Sequence, residues 1–88
     1  MEEIEIGRVS DYFAKLGVAG IEITYGTLSV GDTIRIKGHT TDFTQVVESL
    51  QVEHQQVMKV EAGDSIGIKV RERVRQNDRV FKVEESKN

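Results

Sequence analysis

Apolar and polar residues alternate along this chain over short segments, without the spacing of an amphipathic helix. The alternation runs through residues 21–25, 34–37, 50–53, 66–70 and 80–83. Successive side chains of a strand point to opposite faces, so a period of two is typical of strands that bury one face. Several such segments at roughly ten-residue spacing predict an all-β sandwich or barrel.

Glycines separate these segments and predict tight turns. Gly31-Asp32 and Gly63-Asp64 each follow an apolar residue and precede an alternating segment. Glycine adopts positive φ readily, so each pair suits a turn that leads into a strand. Residues 39–42 predict a polar hairpin loop, and residues 54–61 predict either one helical turn or an extended loop.

Length and composition exclude several classes of protein. The 88 residues fit one domain, with an expected core over residues 6–83 and a flexible tail over 84–88. The chain has no cysteine, which excludes a disulfide framework, a thiolate metal site and a cysteine nucleophile. No segment approaches the ~18 consecutive apolar residues of a membrane span, and the acidic beginning is unlike a signal peptide. We therefore expect a cytoplasmic monomer that does not associate with membranes.

The charges are unevenly distributed. The net charge of −3 argues against a protein that binds nucleic acid non-specifically over its whole surface. Residues 67–82, however, hold six basic and two acidic side chains. On a regular strand Arg71, Arg73 and Arg75 would share one face, about 6.6 Å apart. Their guanidinium groups match phosphate or carboxylate, so this arginine row predicts a binding surface. The competing interpretation is a charged edge strand whose arginines pair with neighbouring glutamates.

Residues suited to catalysis are sparse. The chain has no G-x-x-x-x-G-K-(S/T) phosphate loop and no serine in a G-x-S-x-G turn. His39 and His54, the only histidines, fall on different predicted loops and do not predict a zinc site. Asp11 and Asp64 would form a carboxylate pair only if the fold brought them together, and such residues more often accept backbone N–H bonds in turns. We expect no catalysis, no metal and no cofactor.

Five segments together resemble the second domain of translation GTPases. Residues 26–36 resemble its G-x-L-x-V-G-D-x-(I/V)-x-I segment, and residues 62–68 resemble its A-G-(D/E)-x-(V/I)-G-(I/V) segment. Residues 9–13, 46–51 and 74–80 resemble its V-x-D-x-F, V-x-S-(M/L)-(E/Q) and V-x-x-x-D-x-(I/V) strands. Order and spacing match over residues 6–83, so the chain is similar to domain 2 of elongation factor Tu.

This resemblance implies a small closed antiparallel β-barrel of six strands without GTPase activity. It also implies an RNA partner, either a tRNA end or ribosomal RNA, or a protein component of translation. The residues that match the family's aminoacyl-end pocket are Asp11 and Phe13 on its first strand, Gly17 after it, and Asp64 and Ser65 on the polar turn opposite. Val18 stands where elongation factor Tu has an arginine.

Two functions remain open at this stage. The first is a translation-factor-like module that binds RNA through the arginine row or the pocket of Asp11, Phe13 and Asp64. The second is a protein–protein interaction adaptor, in which Val57 and Met58 of the polar segment 54–60 contact a partner. If that segment instead folds back, both side chains are buried.

Overall fold

The chain folds entirely into β-strands and turns over residues 2–84, which the computed structural model describes. The strands are β1 (Glu2–Phe13), β2 (Val18–Ile23), β3 (Thr27–Ser29), β4 (Thr33–Lys37), β5 (Asp42–Val46), β6 (Leu50–Val52), β7 (Gln55–Val57), β8 (Lys59–Glu61), β9 (Ser65–Lys69) and β10 (Arg79–Glu84). The predicted all-β class is confirmed. None of these residues belongs to a helix that could cross a membrane. Residues 85–88 of the expected tail lie outside the described residues.

The strands form one large sheet and one small sheet. The large sheet has eight strands in the order β5-β4-β10-β1-β2-β9-β6-β7, and β3 pairs with β8 in the small one. The paired strands are antiparallel throughout. This architecture differs from the expected closed six-stranded barrel, because it has more strands and β5 and β7 remain edge strands.

A buried glutamine joins β5 to the end of β9, two strands that are not paired with each other in the sheet. Gln45 of β5 donates from Nε2 to the carbonyl of Lys69 at 2.8 Å, and its Oε1 accepts from the backbone N–H of Arg71 at 2.9 Å. Arg71 Nη2 also donates to the carbonyl of Thr44 at 2.7 Å. A side-chain amide offers the same donor and acceptor as a peptide group. Two side chains therefore bridge the seam between β5 and the end of β9.

Branched aliphatic side chains fill the interior. The fully buried ones come from inward positions of the strands and from the connecting segments: Ile6, Val9, Ile21, Leu28, Ile34, Ile36, Val47, Leu50, Ile68, Val74 and Val80. Burying each contributes about 1.5–3 kcal/mol. Of the aromatic residues, Phe43 lies in the core and Tyr12 packs against it, whereas Phe13 and Tyr25 are exposed.

Three turns share one pattern of hydrogen bonds. In segments 29–32, 61–64 and 75–78, the last residue is an aspartate whose Oδ2 accepts from the backbone N–H of the first at 2.8–2.9 Å. The aspartate N–H donates back to the carbonyl of the first residue at 3.0–3.1 Å. The third position has positive φ and is occupied by Gly31, Gly63 and Asn77. Two of these turns are the predicted Gly-Asp turns. The third was not predicted because it has asparagine in place of glycine.

Candidate functional site

Two clefts that share one lining residue lie at the seam between β5 and β9 and on the adjoining surface of β2, β9 and β6. One part, of about 340 Å³, is lined by Gln45, Val46, Glu48, Lys69, Val70 and Arg71. The other part, of about 250 Å³, is lined by Leu16, Val18, Ser49, Gln51, Gly67 and Lys69. Lys69 lines both parts, so we treat them together as the seam groove.

Each part of the seam groove is lined by an exposed apolar side chain. Leu16 is 67% exposed and Val46 is 52% exposed, and Phe13, the last residue of β1, is also exposed. Val18 and Val70 are half-buried along the groove. Removing apolar surface from water contributes about 25 cal/mol per Å². These side chains give the seam groove apolar contact surface beside its polar groups.

Backbone hydrogen bonds hold Leu16 in this exposed position. The N–H groups of Leu16 and Gly17 both donate to the carbonyl of Phe13, at 3.1 and 2.9 Å. Gly17 has a φ of 65°, which glycine adopts without strain. The N–H of Val70 donates to the carbonyl of Gly17 at 2.9 Å. The turn is thus fixed to the segment that follows β9, and Leu16 projects beside the groove.

Some polar side chains of the seam groove form hydrogen bonds within the chain, whereas others form no ion pair. The Arg71 guanidinium bonds to the carbonyl of Thr44. Lys69 and Glu48 are exposed and take part in none of the ion pairs found among residues 2–84. The groove therefore presents one ammonium and one carboxylate, together with the Gln51 amide.

The structure separates the residues of the predicted aminoacyl-end pocket. Phe13 pairs with Val18 and Val18 pairs with Lys69, whereas Ser65 pairs with Glu22 near the other end of β2. Phe13 and Gly17 therefore lie beside the seam groove. Asp64 precedes Lys69 by five residues, which is about 16 Å along a strand. Asp11, Phe13 and Asp64 do not converge on one pocket.

Both predicted aspartates make local hydrogen bonds. Asp64 accepts the backbone N–H of Glu61 at 2.8 Å within its turn. Asp11 lies next to a bulge in β1 and accepts the N–H of its neighbour Tyr12 at 2.8 Å. The hypothetical carboxylate pair does not form. Within residues 2–84, no three His, Cys, Asp or Glu side chains group where they could hold a metal ion.

The prediction of a regular strand for Arg71, Arg73 and Arg75 was wrong. β9 ends at Lys69 and β10 begins at Arg79, so all three arginines lie on the intervening loop. The burial of Val74 and the turn at 75–78 determine its path. This turn is tied to β1, because the Asn77 N–H donates to the carbonyl of Val9 and the Val9 N–H donates to the carbonyl of Asp78, both at 2.8 Å. The strand spacing of about 6.6 Å therefore does not apply.

Segment 54–60 forms β7 and part of β8 and is neither fully exposed nor fully buried. Met58 is 72% exposed, whereas Val57 packs against the core. Both line a cleft of about 280 Å³ together with Val30, Glu48, Ser49, Leu50 and Gln56. The folded-back alternative therefore applies to Val57 alone, and contact of Met58 with a partner stays a prediction.

An ion-pair network connects three strands on the outer face. Arg35 on β4 donates from Nε and Nη2 to the two carboxylate oxygens of Asp42, both at 2.8 Å. Its Nη1 donates to Glu3 of β1 at 3.0 Å. The hydrogen bonds from Arg35 lower the pKa of Asp42 below its usual value, with a further contribution from Lys37. This network stabilises sheet pairing, away from the seam groove.

Comparisons with known proteins identify relatives of two kinds. The family model of elongation factor Tu domain 2 matches residues 17–80. An uncharacterized protease of Methanocaldococcus jannaschii is 41% identical over 85 residues, covering 96% of this chain and 21% of that protein. A collagenase of Porphyromonas gingivalis is 42% identical over 82 residues, covering 92% of this chain and 20% of that protein. The chain spans about a fifth of the length of these curated relatives.

A solved structure confirms the fold. The C-terminal domain of a Geobacillus thermoleovorans protein assigned to the U32 peptidases superposes with a TM-score of 0.84 and covers 93% of each chain at 21% identity. The relatives overturn the predicted function as a translation-factor module, because they are named as a protease and a collagenase. Binding of RNA by this chain stays a prediction. The matching motifs lie in turns and strands, so they identify the fold and do not specify its partner.

Proposed function

The chain belongs to the elongation factor Tu domain 2 family, and we propose that it is a non-catalytic domain of a peptidase-type protein. The fold alone does not determine this function. In this proposal the seam groove contacts the polypeptide on which that protein acts. Relatives named as a protease and a collagenase support the assignment, since each matches nearly the whole chain. The chain corresponds to about a fifth of their length, which leaves ample chain for a separate catalytic domain.

The positions of the carboxylates support a non-catalytic role. Asp32, Asp64 and Asp78 all accept backbone N–H groups within their own turns. A carboxylate held in this way stabilises a turn and is poorly placed to exchange protons with a substrate. These contacts support the proposal that peptide hydrolysis belongs to another part of the larger protein.

One observation carries the assignment of the groove, namely the exposure of Leu16 beside a cleft lined by residues of β2, β6 and β9. An extended polypeptide presents alternating side chains, and the groove offers apolar contacts at Leu16 and Val46 with Lys69 between them. Burial of an exposed leucine contributes about 1.5–3 kcal/mol, enough to favour an apolar segment over water.

Two measurements on the purified chain test this proposal. Incubation with fluorescein-labelled gelatin should release no labelled peptides above a heat-denatured sample of the chain. Titration with unlabelled gelatin should weaken the amide NMR signals of Leu16, Val18, Lys69 and Val70, while that of Tyr25 should remain unchanged. Hydrolysis that purifies with the folded chain would contradict the non-catalytic role, and loss of signal centred outside the groove would contradict the assignment of the surface.

A further inference from the structure

Basic side chains occupy directly opposed positions across three strands of the outer face. Lys37 on β4 is paired with Arg79 on β10, and Arg79 is paired with Arg8 on β1. All three are exposed. Directly opposed Cβ atoms lie about 4.5–5.5 Å apart, and like charges in such pairs destabilise the sheet. The folded chain therefore holds a local excess of positive charge.

The neighbouring carboxylates form hydrogen bonds with Arg8 and Arg35 and none with Lys37 or Arg79, although Asp42 attracts Lys37 electrostatically. Glu22 pairs with Arg8 across β1 and β2 and accepts from its Nε and Nη2 at 3.2 and 3.1 Å. Asp42 pairs with Lys37 across β4 and β5, but both of its oxygens are bonded to Arg35. Lys37 and Arg79 appear in none of the ion pairs among residues 2–84.

A cleft lies between these two cations. It measures about 320 Å³ and is lined by Lys37, Gly38, Asn77, Arg79 and Phe81. Asn77 is held at a φ of 74° in the turn at 75–78, so that turn forms one wall. The Asp78 carboxylate lies close to Gly38 but is buried and accepts the N–H of Arg75.

We propose that Lys37 and Arg79 form a site for an oxyanion group, either phosphate or carboxylate. The planar guanidinium of Arg79 provides paired donors, and the Lys37 ammonium provides a compact charge on the adjacent strand. An oxyanion bound between Lys37 and Arg79 attracts both cations and offsets their mutual repulsion. This inference goes beyond the proposed function and is independent of the seam groove, which lies along β5 and β9.

Inorganic phosphate is the first probe. Sodium phosphate should raise the Tm of the chain more than sodium chloride at the same ionic strength, and it should shift the amide NMR signals of Lys37 and Arg79. A glutamate-rich peptide is the second probe, and competition with phosphate for those shifts would indicate a carboxylate presented by a polypeptide. If neither probe has an effect beyond that of sodium chloride, the site does not exist.

Charge removal provides a two-sided test. Arg79→Gln should weaken phosphate binding about fivefold, equivalent to about 1 kcal/mol. In low-salt buffer without phosphate, the same variant should raise Tm by roughly 1–5 °C, because the repulsion is relieved. Lys37→Gln should reproduce both effects. Arg73→Gln is the matched control, since it removes an exposed arginine from the loop before β10. Equal losses of phosphate binding in Arg73→Gln and Arg79→Gln would overturn the proposal, as would a lower Tm for both Arg79→Gln and Lys37→Gln.

Discussion

Gln45→Met tests whether one side chain holds the seam of the sheet together. Methionine keeps the length of the side chain but removes both hydrogen bonds, to the carbonyl of Lys69 and to the N–H of Arg71. A buried polar group left without its partner costs about 1–3 kcal/mol. Water that enters the adjoining groove can form hydrogen bonds with the freed carbonyl and N–H, so we expect a total destabilisation of about 2 kcal/mol. For a domain of this size that lowers Tm by about 8–16 °C.

The assay combines urea unfolding with amide hydrogen exchange. Exchange at Arg71 should accelerate in Gln45→Met, because its N–H loses its acceptor, while exchange at Val9 in the sheet interior should follow global stability only. Gln56→Met, on the exposed face of β7, is the control and should change the free energy of unfolding by less than about 0.5 kcal/mol. If Gln45→Met is as stable as this control, with unchanged exchange at Arg71, the explanation of the seam is wrong.

Three further substitutions test other parts of the fold. His54→Gly should raise the free energy of unfolding by about 1 kcal/mol in urea titrations, because His54 occupies a φ of 67° in the β6–β7 turn. Gly38→Ala should lower it by about 1–3 kcal/mol, because a Cβ at this position would overlap the Asp78 carboxylate. Arg35 lowers the pKa of Asp42 in the folded chain, so this pair stabilises the fold above the unfolded pKa of about 3.9 and ceases to do so as pH falls through the folded value. A series of Tm measurements should therefore show Asp42→Asn less stable at neutral pH and the difference vanishing in acid, whereas a constant difference would refute this explanation.

The strands and two of the three aspartate turns could be predicted because their signals are local. Alternating residues determine which side chains enter the core, and Gly31 and Gly63 mark positions of positive φ. The third turn was missed because Asn77 adopts the same conformation without the glycine signal. Residues 70–75 alternate as a strand would, but the burial of Val74 and the turn that follows prevent strand pairing.

The seam and the candidate site depend on long-range contacts that a sequence pattern does not specify. Gln45 lies in an alternating segment, and its sequence context does not distinguish it from other strand residues. Its role depends on the end of β9, which lies within hydrogen-bond distance of its amide. Leu16 resembles an ordinary turn residue, and its exposure beside the groove follows from the hydrogen bond between Val70 and Gly17. Function was predicted wrongly because the recognised motifs shape the fold, and one fold accommodates different partners.

The affinity of the chain for immobilised gelatin, compared between two variants, tests the proposed function most directly. Leu16→Asp places a charge beside the seam groove, and Tyr25→Asp does the same at a side chain that is similarly exposed, at 63%, outside the groove. We predict that Leu16→Asp weakens binding at least tenfold, since about 1.5 kcal/mol of apolar burial is lost, while Tyr25→Asp binds like the unaltered chain. Equal affinities for all three proteins, with both variants folded, would contradict the assignment of the seam groove as the polypeptide-binding surface.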